Sequence, residues 1–316
     1  MSTQNDSSLK YELLQAGEYM GAAVKRLEEA GLKSCIEHVD VAYNFVEPFL
    51  IWGRHVNAVH HTPKVLEILV EIMIGQMEID LPLSTTPAQL PIAIWAALFH
   101  DAGNAFEAKD EKRISVSKVR DEPSLREPAI AQRKRHMENG APLVACIMSA
   151  LRDKLHFKDE DISIVSELVR YHDDPTLGEY LKESPDLGTY LFVPDADLSR
   201  PLFPMSAFLR EADRLWMLTI PGIIEDLKRK PKDPRDQICG NVKRHWEERA
   251  LYETHAQMVA PNQSQQCMRE WGFQTNTAFY RSEVGKKKFT LLPIEAGKLS
   301  KESWDMKIAR SGGTLL

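Results

Sequence analysis

The chain has 316 residues, 43% of them hydrophobic and 27% charged, with a formal net charge of −6. This composition describes a globular protein with a real core, and the acidic balance argues against general binding to nucleic acid or an anionic membrane. No apolar stretch approaches the length of a membrane span, and the polar start "MSTQNDSSLKYELLQ" lacks the apolar core of a secretory signal. Cys35, Cys146, Cys239 and Cys267 are far apart, form no C-x-x-C pair, and read as reduced, mostly buried thiols of a cytoplasmic protein.

In chain order the pattern is nearly all helix. Leu9, Leu13, Ala16, Met20, Ala23, Val24 and Leu27 recur at helical spacing over 9–30, and Gly31 marks the stop. Helices are expected at 33–50 and 61–79, the second carrying Val65, Leu66, Ile68, Leu69, Ile72 and Met73. "DLPLSTTPAQLP" is a proline-punctuated loop. It opens onto "PIAIWAALF", apolar at every position from Pro91 to Phe99, so that a helix built from it has no solvent face. After a polar segment, 104–127, a long helix is predicted from Pro128 to about 153, and another from Asp159 to His172. Residues 173–204 hold five prolines and two glycines and read as loop. Helices resume at 205–219, 221–230 and 237–258. The tail, 273–316, has no helical periodicity, only the short β-like runs "TAFYRS" and "KKFTLLP". The chain therefore divides into one helical domain, 1–260, and a less regular appendage, 261–316, that acts as a lid or a packing segment.

Ionisable residues on apolar faces carry the chemistry. His100 and Asp101 end the all-apolar helix, and a buried carboxylate needs a compensating partner. His61 shares a stripe with Val65, Ile68 and Leu69. His136 is followed by Gly140, Leu143 and Ile147, with a glycine where something must approach closely. His172 follows Val165, Leu168 and Val169, and Asp213 is flanked by Leu209, Trp216 and Met217. A single histidine on an apolar face is more often a hydrogen-bonded core residue, and a single helical aspartate more often meets an arginine. Six such residues on five helices outweigh those readings. Imidazoles with carboxylates, and no cysteine, suit Mn, Fe or Mg.

The order His61, His100-Asp101, His136, His172, Asp213 resembles the HD superfamily, an all-helical fold of metal-dependent phosphohydrolases. "HHTPKVLEIL" is similar to its first helix, "ALFHDAGN" to its hallmark helix end, and "RHMENGAPLV" to a segment of members that hold two metals. "LVRYHDDP" and "LREADRLWML" resemble its later motifs. The resemblance implies an all-α helical bundle with His61, His100, Asp101, His136, His172 and Asp213 as ligands of two divalent ions, Asp101 bridging them. Asp101 and His136 are the residues expected to act in catalysis, by way of a two-metal-activated hydroxide. At the front His60 competes with His61, and Asp195 and Asp197 compete with Asp213; spacing to Val65 and the A-D-R-L context favour His61 and Asp213. Where many members have a lysine three residues after the paired aspartate, this chain has Asn104.

The expected substrate is a small anion, a phosphate ester or nucleotide. The cations nearest the motifs are Lys109, Lys112, Arg113, Lys118, Arg120, Arg126, Arg133, Lys134 and Arg135, and Asn104, Arg113, Lys118 and Arg120 are the chosen substrate contacts. Lys286, Lys287 and Lys288 are a weaker candidate, on a lid. The same ligand set also resembles HD-fold oxygenases that use two irons to cleave a small polyol or phosphonate, which makes that chemistry the alternative.

Overall fold

The computed structural model describes residues 3–54, 56–77, 79, 84–109, 114, 118, 121–172, 205–216, 219–228, 282–297, 299 and 301–311. Among these residues there are helices and no strand: the fold is all-α. None of these helices is long and apolar enough to cross a membrane.

The first helix, α1, spans Thr3–Glu29. It stops where Gly31 takes φ 73°, and the N–H groups of Gly31 and Leu32 then reach the carbonyls of Glu28 and Leu27. Those bonds satisfy the last turn in a Schellman arrangement, which favours a residue without a Cβ at that φ. Next come α2, Ile36–Gly53, and α3, His61–Gln76. The latter ends three residues before the expected 79, because Thr85 returns to donate its N–H to the Gln76 carbonyl and its hydroxyl to that of Met73. The central helix α4, Leu90–Phe99, follows a turn in which the Gln89 side chain accepts the Thr86 N–H.

Every residue of α4 except Pro91 is buried. The helix packs on α2 and α3, and also on α7, Asp159–Tyr171, and α8, Met205–Trp216. Trp95 stacks on Phe99 at 5.4 Å and meets Phe157 edge-on. Burying such a ring removes on the order of 150–250 Å² from water, so α4 is the axis on which the surrounding helices close. The long helix α5, Arg126–Ala150, lies on α7 and on the short turn Ala102–Phe106 that follows α4. It stops three residues short of the expected 153, and a four-residue helix α6, Arg152–Leu155, takes up the remainder. The next helix among the described residues is α9, Ile220–Lys228.

The tail departs from its expected character. "KKFTLLP" is not β-like but lies inside a helix, α10, Glu283–Gly297, and another, α11, Lys301–Arg310, follows. Tertiary packing overrides weak local alternation here. Val284 presses on Gly75 of α3, where a Cβ would lie 2.6 Å from its Cγ2. The buried Glu211 of α8 accepts the hydroxyl and N–H of Ser282 at the start of α10. Lys288 pairs with Glu71 of α3 at 2.8 Å, so its cation is engaged on a helix flank. One thiol also departs from expectation: Cys35 is buried, but Cys146 is exposed on the outer face of α5. The helix expected at 237–258, the loop 173–204, Cys239 and Cys267 lie outside the described residues.

Candidate metal centre

α4 and α7 each end on a histidine, and the two ends are built alike. Helix termini leave their last carbonyls without intrahelical partners. His100 Nδ1 lies 2.7 Å from the Ala97 carbonyl, and His172 Nδ1 lies 2.8 Å from the Val169 carbonyl, three residues back in each case. A carbonyl only accepts, so Nδ1 of each ring carries the proton and donates. Nε2 of the neutral ring is then a bare lone pair, the orientation in which a metal-ligating histidine is usually held. That arrangement answers why an all-apolar helix ends on ionisable residues.

The ring of His61, at the first position of α3, enters from the opposite side. Its Nε2 is 3.1 Å from His100 Nε2, 3.2 Å from Asp101 Oδ2 and 3.3 Å from Asp213 Oδ1. His100 Nε2 lies 3.5 Å from Asp101 Oδ2 and 3.7 Å from Asp213 Oδ1. On the other side of Asp101, His136 Nε2 is 3.3 Å from His172 Nε2. These two rings approach the second oxygen, Asp101 Oδ1, at 3.5 and 3.8 Å. All six residues are buried. The structure thus brings together His61, His100, Asp101, His136, His172 and Asp213.

Electrostatics show how the charges of the cluster are balanced. Burial works against a charged His61, but its hydrogen bonds to Asp101 and Asp213 prevail and push its pKa up to about 9. Burial would raise Asp213, yet the His61 hydrogen bond and then the Arg214 charge bring it down to about 2. Burial acts on Asp101 in the same sense, and the surrounding imidazoles of His100, His61 and His136 hold it well below the usual carboxylate range. The two carboxylates stay ionised, a negative charge that the His61 proton, or a metal ion the cluster could hold, would balance. Metal–ligand bonds of about 2.0–2.2 Å set neighbouring donors about 3–3.5 Å apart, close to the spacings observed here. His61, His100 and Asp213, and likewise His100, Asp101 and His172, each have donor atoms close enough to hold a metal ion together.

Nearby side chains fix the donors. Arg214 Nη1 donates to Asp213 Oδ2 at 3.1 Å, leaving Oδ1 toward the histidines. Trp216 packs edge-on against the His61 ring at 5.1 Å. Asn57, in the connection between α2 and α3, donates its amide to Asp101 Oδ2 at 2.5 Å. Sequence reasoning missed Asn57: it lies in a loop, where no periodicity marks it, and its only cue is a polar residue four positions before His61. His60 points elsewhere, its Nε2 3.9 Å from Glu225 Oε1.

The close approach expected at Gly140 is made by Val169 of α7 and by the Gly103 turn: a Cβ on Gly140 would lie 3.1 Å from Val169 Cγ1 and 3.4 Å from Gly103 N. Asn104 is buried in the turn after Asp101, against Gly53 of α2. Lys118 is exposed. Arg113, Arg120, Asp195 and Asp197 lie outside the described residues.

The fold and site define an all-α protein with a buried histidine–aspartate cluster that could bind metal, an arrangement compatible with an HD-type fold. No family model matches the chain, and it matches neither a curated protein nor a solved structure.

Proposed function

We propose that the chain is a metal-dependent phosphohydrolase of the HD type that acts on a phosphate ester or nucleotide with two divalent ions, Mn, Fe or Mg. One observation carries this reading: the two oxygens of Asp101 face different donor sets, Oδ2 toward His61 and His100 and Oδ1 toward His136 and His172. A carboxylate shared in this way is how one side chain serves two ions. Asp213 completes the first set, at 3.3 Å from His61 Nε2. Two ions in such a centre supply an activated water nucleophile at neutral pH and positive charge for the phosphoryl oxygens.

The chain's own residues do the remaining work. His100 and His172 keep their protons on Nδ1, tied to Ala97 and Val169, so that Nε2 stays available. Asp101 aligns both donor sets, and His136 sets the far edge of the second. Two carboxylates do not neutralise two divalent ions, and the positive remainder suits an anionic substrate. The basic run Arg133-Lys134-Arg135, within α5 immediately before His136, is the proposed supply of further cations for a phosphate. Asn104, Arg113, Lys118 and Arg120 remain the proposed substrate contacts.

The test is phosphate release from a panel of phosphate esters and nucleotides, run anaerobically with Mn²⁺ or Mg²⁺ added to metal-free protein. Turnover without oxygen supports the hydrolase. Bound iron, oxygen consumption with a polyol or phosphonate, and no anaerobic turnover would replace it with the oxygenase chemistry.

A further inference from the structure

The α2–α3 connection is held from two directions before it reaches the cluster. The N–H groups of Val56 and Asn57 donate to the Gly53 carbonyl at 2.9 and 3.4 Å. From α1, the buried Glu12 accepts the Val59 N–H on one oxygen at 2.9 Å and the Arg54 guanidinium on the other at 3.0 Å. Both oxygens of a buried carboxylate are therefore spent on fixing this one loop. What the loop delivers is the Asn57 amide, 2.5 Å from Asp101 Oδ2. A carboxylate only accepts, so the NH₂ of the amide faces Asp101.

That contact falls on the residue whose orientation matters most. Asp101 directly follows His100 at the end of α4; the His100 ring is tied to the Ala97 carbonyl, whereas a carboxylate only accepts and takes its orientation from the donors around it. Rotation of its carboxylate about the Cβ–Cγ bond would carry Oδ1 away from His136 and His172 and Oδ2 away from His61 and His100. We propose that Asn57 is a positioning residue that, by holding Oδ2, sets the plane of Asp101 so that one carboxylate faces both donor sets. The role rests on the two-ion reading above. It goes beyond that reading in assigning the pairing of the ions to a residue that binds neither of them.

The experiment compares wild type, Asn57→Ala and Asn57→Leu, each loaded with Mn²⁺ from the metal-free state. Ion binding is followed by titration, and magnetic coupling between the ions by electron paramagnetic resonance. Leucine matches asparagine in shape and lacks the donor, so it decides the matter if the alanine variant fails to fold. Loss of an outer contact to a metal ligand weakens binding by about 10–100-fold. Both variants are expected to keep the first ion, to bind the second about 10–100-fold more weakly, and to lose the coupled signal at a Mn²⁺ level that saturates wild type. A coupled signal and second-ion affinity equal to wild type overturn the proposal, even if the metal-free melting temperature falls, because that pattern marks a merely structural contact. A wild type that binds no coupled pair overturns the two-ion reading itself, and the positioning role with it.

Discussion

Replacing Gly103 by alanine should separate the turn after α4 from α5 and take His136 out of register with Asp101. A Cβ on Gly103 would lie 1.8 Å from the His136 carbonyl oxygen and 2.7 Å from both the His136 carbonyl carbon and the Gly140 nitrogen. All three atoms are backbone, so no side-chain rotation relieves the clash. Ordinary non-bonded contact is about 3.5 Å, so the two segments must part by roughly 1.5 Å. Metal ligation tolerates about ±0.2 Å. His136 Nε2, now 3.5 Å from Asp101 Oδ1 and 3.3 Å from His172 Nε2, cannot follow such a shift and stay in its set. Overpacking costs about 1–3 kcal/mol, and a backbone clash belongs at the upper end. The assay pairs thermal melting of the metal-free protein with Mn²⁺ stoichiometry. A melting temperature several degrees lower and the loss of about one ion per chain are expected. Gly17→Ala and Gly21→Ala are the controls: nothing lies within 4 Å of either Cβ, and both positions are inside α1, where alanine gains up to about 1 kcal/mol over glycine. If Gly103→Ala melts and binds metal like wild type, the close packing of the turn on α5 does not set the position of His136.

Other outcomes test the ligand assignments and the charge balance. His100→Ala and Asp101→Ala should each strip metal from the purified protein and lower its stability once metal is present, since binding free energy is also folding free energy; unchanged metal content in both would remove them from the site. Asp213→Asn should weaken metal binding strongly, because asparagine keeps the shape and loses the charge, whereas Asp197→Asn should leave it near wild type; the reverse pattern would exchange their roles. In the metal-free protein, His61 is raised from 6.5 to about 9 and Asp213 lowered from 3.8 to about 2. The His61 contribution is complete below pH 6.5 and is lost as pH rises through about 9; that of Asp213 is complete above pH 3.8 and is lost as pH falls through about 2. Melting temperature against pH should therefore decline on the alkaline side, and saturating Mn²⁺ should abolish that decline by taking the place of the His61 proton. An alkaline decline that persists unchanged with Mn²⁺ would refute the exchange.

Much of the helical framework was legible because periodicity and end signals agree. Gly31 stops α1, and the uninterrupted apolar run of α4 lies buried in the centre of the fold. His61, His100, His136, His172 and Asp213 could be picked out one by one because each sits beside apolar neighbours at helical spacing. Three things were not legible. The helix α10 depends on long-range contacts that leave no local pattern, Val284 against Gly75 of α3 and Ser282 against Glu211 of α8, and its own alternation pointed to a strand. Asn57 works from a loop, where a side chain's direction follows from the path of the backbone. The exposure of Cys146 follows from which face α5 turns to α7, which a helix of weak amphipathic character does not announce.

The most direct test is the metal content of wild type and His136→Ala after loading with Mn²⁺ and removal of free ion. The account predicts two ions per chain in wild type and one in His136→Ala, because Asp101 shares its oxygens between a set anchored by His61 and His100 and a set anchored by His136 and His172. A wild-type protein that retains no metal, or a His136→Ala protein that retains both ions, would contradict it.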